Sequence, residues 1–296
     1  MKEKTIYALG FFDGVHIGHQ ALLKECRRMA DETGCKAAAV TFSSHPDTLV
    51  QGTAPKLINT IEDRVRLLKL FGMDDVIVLP FDRQLMTTHW SLFLSALTEL
   101  GAAGFVCGSD FRFGAGGIGT AKKLEGFCRK RELSCSVVPQ QLLDGILISS
   151  SHIRNLLEAG NLEDAVRFLG HPHILSGTVV SGRKLGRTLG IPTANLALPE
   201  DTVTLPFGVY ACKALVGETA YLAVTNIGNR PTVGGHRVTV EPWLLDFEGD
   251  LYGMPLTLSF YTFLRPEQKF PSLDALKEEI EKNALQTRKF FENNTK

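Results

Sequence analysis

The sequence predicts an α/β domain followed by a β domain: a doubly wound parallel sheet over residues 1–170, then an antiparallel β-barrel with a terminal helix over residues 174–296. Three observations carry this. In the first half, short apolar runs alternate with helical segments, which implies parallel strands joined by right-handed crossovers. In the second half, strand-like runs follow one another with turn residues between them and no helices, which implies antiparallel pairing. The chain has 296 residues, about twice an ordinary domain, so each half can bury its own core.

The elements follow in order. Residues 6–9 form a first apolar run, succeeded by a glycine-rich loop and a helix from about 19 to 30. Residues 37–42 read as a buried strand, and a helix follows at Thr60, where Thr60 and Asp63 have the spacing of a capping box with aspartate in place of Glu or Gln. Strands at 76–79, 104–107 and 135–138 complete five, with helices over 91–100 and 122–131 between them. Two short helices, 151–160 and 162–169, close this half, and His171-Pro172-His173 reads as a linker. Beyond it, residues 178–180, 209–216, 221–225, 238–245 and 256–263 are strand-like, and an amphipathic helix runs from about 273 to 291.

Charge excludes some partners. Lysine plus arginine equals aspartate plus glutamate at 32 each, for a net charge of zero, so nucleic acid is not an expected partner. No stretch approaches the roughly 18 apolar residues of a membrane span, and no secretory signal is expected. Cys26, Cys35, Cys107, Cys128, Cys135 and Cys212 form no C-x-x-C pair. That scatter fits reduced thiols rather than a disulfide framework or a zinc site. A cytoplasmic protein is expected.

Ligands of an open parallel sheet bind at the carboxyl ends of its strands. Residues 10–19, GFFDGVHIGH, stand there after the first strand and open a helix. Gly14 and Gly18 let the backbone approach a ligand, and the helix N-terminus offers N–H groups to phosphate. His16 and His19 add ring donors able to stabilise charge on phosphorus. A tight turn with two incidental histidines fits the same letters. A second element is Ile148-Ser149-Ser150-Ser151-His152-Ile153-Arg154. Its serines open a helix, and Arg154, one turn in, is placed to reach a pyrophosphate; an N-cap with a surface arginine is the alternative. Gly114, Gly116 and Gly119 match G-x-G-x-x-G, but they follow the fourth strand and lack the acidic partner of a dinucleotide site, so they read as a mobile glycine loop. No Walker A sequence occurs.

In the second half, Gly182, Gly186 and Gly190 interleave with Arg183, Lys184 and Arg187 as a cationic flap able to close on phosphates. Thr193 and Asn195 flank Ala194, so both polar side chains face one side of an extended segment. They are neutral ligands, and Mg²⁺ held that way takes most of its coordination from ATP phosphates and water. Glu241 lies in an apolar strand, where an unpaired carboxylate is costly. A base facing a substrate hydroxyl explains it, and so does a charge on a solvated strand face.

These motifs resemble known families. H-x-G-H and the serine–arginine element resemble the nucleotidyltransferase superfamily. Together with Thr41-Phe42, His45-Pro46 and the segment from Gly108 through Asp110, Phe111, Arg112 and Phe113 to Gly114, the first motif is similar to the FMN adenylyltransferase module of bacterial FAD synthetases. The resemblance implies that Gly10, Phe11, Phe12, Asp13, Gly14, His16, Gly18, His19, Ser149, Ser150, Ser151 and Arg154 hold ATP, with His16, His19 and Arg154 stabilising charge. It implies that Asp110, Phe111 and Phe113 lie near the flavin and that Asp13 orders the loop or the metal. The string G-x-x-x-G-R-x-L-G-x-P-T-A-N over residues 182–195 resembles riboflavin kinase, as do Asn226-Ile227-Gly228, the Glu241 strand and Asp250-Leu251-Tyr252-Gly253. There it implies that Gly182, Lys184, Gly186, Arg187, Gly190, Pro192, Thr193 and Asn195 bind Mg²⁺–ATP. Glu241 would deprotonate the riboflavin 5′-hydroxyl, and Arg265 and Phe270 would lie on the flavin side. Val233, Pro242-Trp243 and Asn283 depart from the family pattern. The implied function is a bifunctional enzyme that phosphorylates riboflavin to FMN and adenylylates FMN to FAD, releasing pyrophosphate.

Overall fold

The computed structural model describes residues 3–50, 52–180, 191–197, 201–232 and 235–294. The chain forms two compact units, Met1–Leu57 with Ile61–His152, and Ile58–Thr60 with Ile153–Lys296.

In the first unit the elements run β1 (Thr5–Leu9), α1 (Ile17–Thr33), β2 (Lys36–Phe42), α2 (Asp47–Val50), α3 (Ile61–Leu70), β3 (Asp75–Leu79), α4 (Arg83–Thr87), α5 (Trp90–Glu99), β4 (Ala102–Gly108), α6 (Ala121–Lys130), β5 (Ser134–Val138), β6 (Leu142–Leu143) and β7 (Ile146–Leu147). The expected five-stranded parallel sheet is present, in the order β3-β2-β1-β4-β5. The chain leaves β1 toward β2 and β3, then returns to the other edge of β1 with β4 and β5. That reversal opens a crevice at the carboxyl ends of β1 and β4. All five residues of β1 are buried, as a central strand covered by helices on both faces requires. On one face Tyr7, Leu9, Ala38 and Val40 pack with Phe93, Leu94 and Leu97 of α5 and with Leu124, Phe127 and Cys128 of α6. Against the sheet α1 sets Leu22, Leu23, Cys26, Met29 and Ala30, a stripe at helical spacing. Gly34, at φ 63°, ends that helix by donating its N–H to Ala30 O.

Two local expectations change. The glycines 114–119 form a closed turn rather than a mobile loop: Phe113 and Gly119 exchange backbone hydrogen bonds of 3.2 and 2.8 Å. Gly114 sits at φ 72°, and a Cβ there would come within 2.6 Å of Trp90 Cα, so close packing explains this glycine. The hairpin β6–β7 was not expected, although Asp144 and Gly145, at φ 53° and 78°, are the D-G pair of a two-residue turn. Its strands are only two residues each, too short to show alternation.

The second unit begins within α7 (Ser150–Glu158) and continues through α8 (Leu162–Leu169), β8 (His173–Val180), β9 (Asn195–Leu196), β10 (Gly208–Val216), β11 (Thr219–Thr232), β12 (Gly235–Leu244), β13 (Pro255–Pro266) and α9 (Leu273–Asn294). The strands close a barrel in the order β10-β11-β12-β9-β8-β13. His173 is not linker: it opens β8 and pairs with Phe260. Ser176-Gly177 interrupts the apolar run, which hid the start of the strand. Tyr210 and Phe260 meet edge to face in the barrel at 5.6 Å, and Ala284 of α9 packs with Val209 and Val224.

Candidate active sites

A cavity of about 440 Å³ lies where the sheet reversal predicts, walled by the strand ends Leu9, Phe42, Gly108 and Val138. His16 supplies its electrostatics and its backbone geometry. With φ −64° and ψ 171° it caps α1, and its Nδ1 accepts the His19 N–H at 3.3 Å. The helix therefore starts at Ile17, two residues before the expected start. A ring nitrogen that accepts carries no proton, so the neutral His16 ring is protonated on Nε2. The two imidazoles stack at 3.6 Å with an angle of 14°. A Cβ on Gly18 would stand 3.2 Å from the His16 ring, so the glycine of H-x-G-H makes room for that imidazole. Burial, then the neighbouring His16 and Arg64, hold the His19 pKa well below its ordinary value. His19 is therefore a neutral imidazole at physiological pH, a donor or acceptor rather than a cation.

The loop ahead of His16 is strained. Phe12 and Val15 take φ 59° and 40°, with Gly14 at 81° between them. Non-glycine residues in this region cost about 1–3 kcal/mol each and persist where their surroundings fix them. Phe12 is fully buried and meets the His19 ring at 5.3 Å; Asp13 is 1% exposed. Ser150 Oγ donates to Asp13 O at 2.9 Å, joining the two motifs across the sequence, while Ser149 Oγ accepts from His152 N at 3.2 Å at the start of α7. Gly10, Phe11, His16, Gly18, His19, Ser149, Ser150, Asp110 and Phe111 line the cavity; Phe12, Asp13, Gly14, Phe113, Ser151 and Arg154 do not. Asp110 accepts from Gln140 Nε2 at 2.9 Å, and Phe111 stacks on Phe113 at 5.5 Å. Arg154 groups with the second unit.

One residue near this cavity was not singled out from the sequence. Arg64 of α3 is wholly buried, and its guanidinium lies 4.1 Å over the Phe11 ring. The signal was its spacing: Arg64 shares the buried face of α3 with Leu67 and Leu68, an apolar position.

The second unit holds a cavity of about 390 Å³ lined by Thr193, Asn226, Glu241, Arg265, Glu267 and Phe270 among apolar walls that include Val209, Val224 and Trp243. A neighbouring pocket of about 60 Å³ shares Thr193 and adds Pro192, Phe247, Asp250 and Tyr252. Ala194 is buried between half-buried Thr193 and Asn195, and its N–H donates to Pro242 O at 2.9 Å. That bond sets the Thr193 segment beside the Glu241 strand. Glu241 lies opposite Asn226 in the β11–β12 ladder. Half-buried, it lines the cavity with Trp243 while Val240 turns to the core.

Asn283 has a structural account. Arg265 Nε donates to Asn283 Oδ1 at 3.1 Å and lies 3.4 Å from Glu279 Oε1, and Asn283 Nδ2 donates to that same oxygen at 3.3 Å. Glu279, one turn earlier, supplies the negative charge. Burial lowers the Arg265 pKa and Glu279 opposes the shift; the guanidinium lies 5.5 Å over the Phe270 ring. Gly182, Lys184, Gly186, Arg187, Gly190 and Val233 lie outside the described residues.

A family model described as FAD synthetase matches residues 1–152, and one described as riboflavin kinase matches residues 169–291. Curated relatives named bifunctional riboflavin kinase/FMN adenylyltransferase are 34% identical in Listeria monocytogenes, over 97% of this chain and 92% of that one. The relative in Bacillus subtilis is 35% identical over 99% and 94%, and that in Escherichia coli K12 is 36% identical over 98% and 94%. A crystal structure described as a macrolide-efflux protein from Streptococcus pneumoniae is similar at a TM-score of 0.85 and 29% identity, covering 97% of this chain and 95% of that one. No helix among the described residues is long and apolar enough to cross a membrane. Matched in both halves and along almost its whole length, the chain belongs to the bifunctional riboflavin kinase/FMN adenylyltransferase family, making FMN with its C-terminal half and FAD with its N-terminal half.

Proposed function

We propose that each activity uses one of the two cavities, with residues 1–170 forming the adenylyltransferase domain and 174–296 the kinase domain. In the barrel, Glu241 accepts the proton of the riboflavin 5′-hydroxyl as that oxygen bonds to the γ-phosphorus of ATP and ADP leaves. The transition state of such transfers is loose, so orientation outweighs the base. The apolar walls and Arg265, Phe270 and Asn226 hold the flavin. Thr193 and Asn195 hold ATP with Mg²⁺. Two neutral oxygens along one extended segment fit a hard cation that brings its own phosphates and water. Bound there, Mg²⁺ would neutralise phosphate charge. The flap residues Gly182, Lys184, Gly186, Arg187 and Gly190 with Pro192 complete the nucleotide site.

In the α/β half, an FMN phosphate oxygen bonds to the α-phosphorus of ATP and pyrophosphate departs with the broken P–O bond. FMN is already an anionic nucleophile, so neither a base nor a covalent enzyme intermediate is required. His16, His19 and Arg154 stabilise charge, Ser149 to Ser151 and the loop from Gly10 to Gly14 cradle phosphates, and Asp110, Phe111 and Phe113 form the flavin side. The six free cysteines and balanced charge favour a cytoplasmic enzyme with small-molecule partners only.

The observation that carries the proposal is the Ser150–Asp13 bond, which joins both nucleotide motifs at one cavity. It is tested by following riboflavin, FMN and FAD with Mg²⁺–ATP. Glu241→Ala is expected to stop FMN formation and leave FMN-to-FAD conversion running; His16→Ala is expected to do the reverse. Loss of both activities in either variant would contradict two independent sites.

A further inference from the structure

Arg64 takes no part in the reaction as proposed, yet it is the largest fully buried side chain among the described residues. A guanidinium keeps its charge, and a buried charge is retained only where partners compensate it. Its Nη1 donates to Phe42 O at 3.0 Å and to Thr41 Oγ1 at 3.4 Å. Nε and Nη2 are buried with no hydrogen-bond partner. Burial lowers the pKa of Arg64, and the one charge acting against that shift is Asp13.

These contacts converge on one short stretch of backbone. The guanidinium covers the Phe11 ring. Thr41, which accepts from Arg64, donates its hydroxyl to Phe11 O at 2.7 Å. Asp13, the compensating charge, lies within the left-handed turn of Phe12, Gly14 and Val15. The chain passes from that turn directly into His16, whose ring caps α1 and stacks on His19. Arg64 lines no part of the cavity, so it acts on the site from behind.

We infer that Arg64 is a positioning residue for adenylyl transfer: the buried cation, through Asp13, the Phe11 ring and the Thr41 hydroxyl, holds the left-handed turn that aims His16 and His19 at the nucleotide phosphates. This rests on the proposal that His16 and His19 act on those phosphates. Glu62, Asp63 and Arg66 are the other charged groups near it on α3, and only Asp63 and Arg64 of that set are buried.

The full chain contains its own control, because riboflavin phosphorylation reports on the other unit. Arg64→Met is expected to lower kcat for FAD formation about 100-fold, the scale of an orientation loss of about 1 Å, with KM for ATP and FMN within about threefold. Riboflavin phosphorylation is expected to stay at its native rate. Arg64→Lys, which keeps the charge without the planar fork, is expected to recover kcat to within about tenfold of native. Native kcat in Arg64→Met, a loss confined to KM, or an equal loss of both activities overturns the inference. Should Arg64→Met fail to fold, Thr41→Val removes the hydroxyl relay at constant shape; a lowered kcat supports the inference and a native kcat sinks it. His16→Ala run in parallel separates the two layers. Native FAD formation in that variant would remove the basis of both, whereas its loss beside an unimpaired Arg64→Met would remove only the role of Arg64.

Discussion

The α/β cavity and the barrel cavity, each proposed to receive ATP, are built from different materials. Around the first, the protein supplies polarity of its own: stacked imidazoles, a strained backbone turn and, behind them, the buried side chains of Arg64 and Asp13. Around the second, apolar walls such as Val209, Val224 and Trp243 stand among Thr193, Asn226, Glu241, Arg265 and Glu267. In the proposed reaction the first is preorganised for developing phosphate charge. The second, as proposed, holds a flat flavin against its apolar walls, with Lys184 and Arg187 meeting phosphate charge beside what the nucleotide brings. One cosubstrate therefore does not dictate one kind of site. The group that must be oriented does: a phosphate in one case, a hydroxyl on a bulky flavin in the other.

The contrast breaks most readily at Thr193 and Asn195. A hydrogen bond to a charged group contributes about 1.5–3 kcal/mol, so Thr193→Ala with Asn195→Ala is expected to reduce riboflavin phosphorylation by at least about 100-fold. FAD formation from FMN should be unchanged. Initial rates across a Mg²⁺–ATP series check this, and equal losses in both reactions would erase the contrast.

A second effect separates two histidines. His19 is neutral in the wall of a cavity, whereas His173 is neutral in the wall of the barrel, 2% exposed and with no hydrogen-bond partner on either ring nitrogen. Burial, with His171 adding to it, depresses His173 to about 4. Between pH 6.5 and about 4 the unfolded chain binds a proton that the folded chain does not. Stability therefore falls as pH falls through that window, by about 3 kcal/mol for one such group, and the loss levels off below it. Urea unfolding at pH 7 and pH 4.5 should show this loss in the native protein and a reduced one in His173→Phe, which keeps a ring against Phe260. Equal losses would exclude His173 as the cause.

The smallest effect concerns the decoy motif. Gly114→Ala puts a Cβ into the Trp90 backbone at a positive φ. It is expected to destabilise the first unit by about 1–3 kcal/mol while leaving the barrel transition in place, as calorimetry would show. A nucleotide-affinity change without a stability change would instead return that loop to the list of binding elements.

Much of this was legible in the amino-acid order. The change from helix-separated strands to turn-separated strands marked two architectures because each periodicity belongs to one kind of packing. H-x-G-H and the Thr193-Ala194-Asn195 triplet were legible because their structure is local: a helix cap and an extended segment that enters a strand. The rest depended on contacts between distant positions. Arg64 lies in Glu62-Asp63-Arg64-Val65-Arg66, a charged run that reads as surface until Phe11 and Thr41 close over it. His173 read as linker because its pairing partner, Phe260, is far away in the chain. The bond from Ser150 to Asp13 has no sequence signature; two motifs were visible, and their junction was not.

That junction also orders events at the ribosome. Domains fold as units as they emerge, the N-terminal one first. Residues 10–19 are translated well before Ser150, and their turn receives its Ser150 tether only when residue 150 has left the exit tunnel. The turn at Asp13 is thus completed by a residue 137 positions further along the chain.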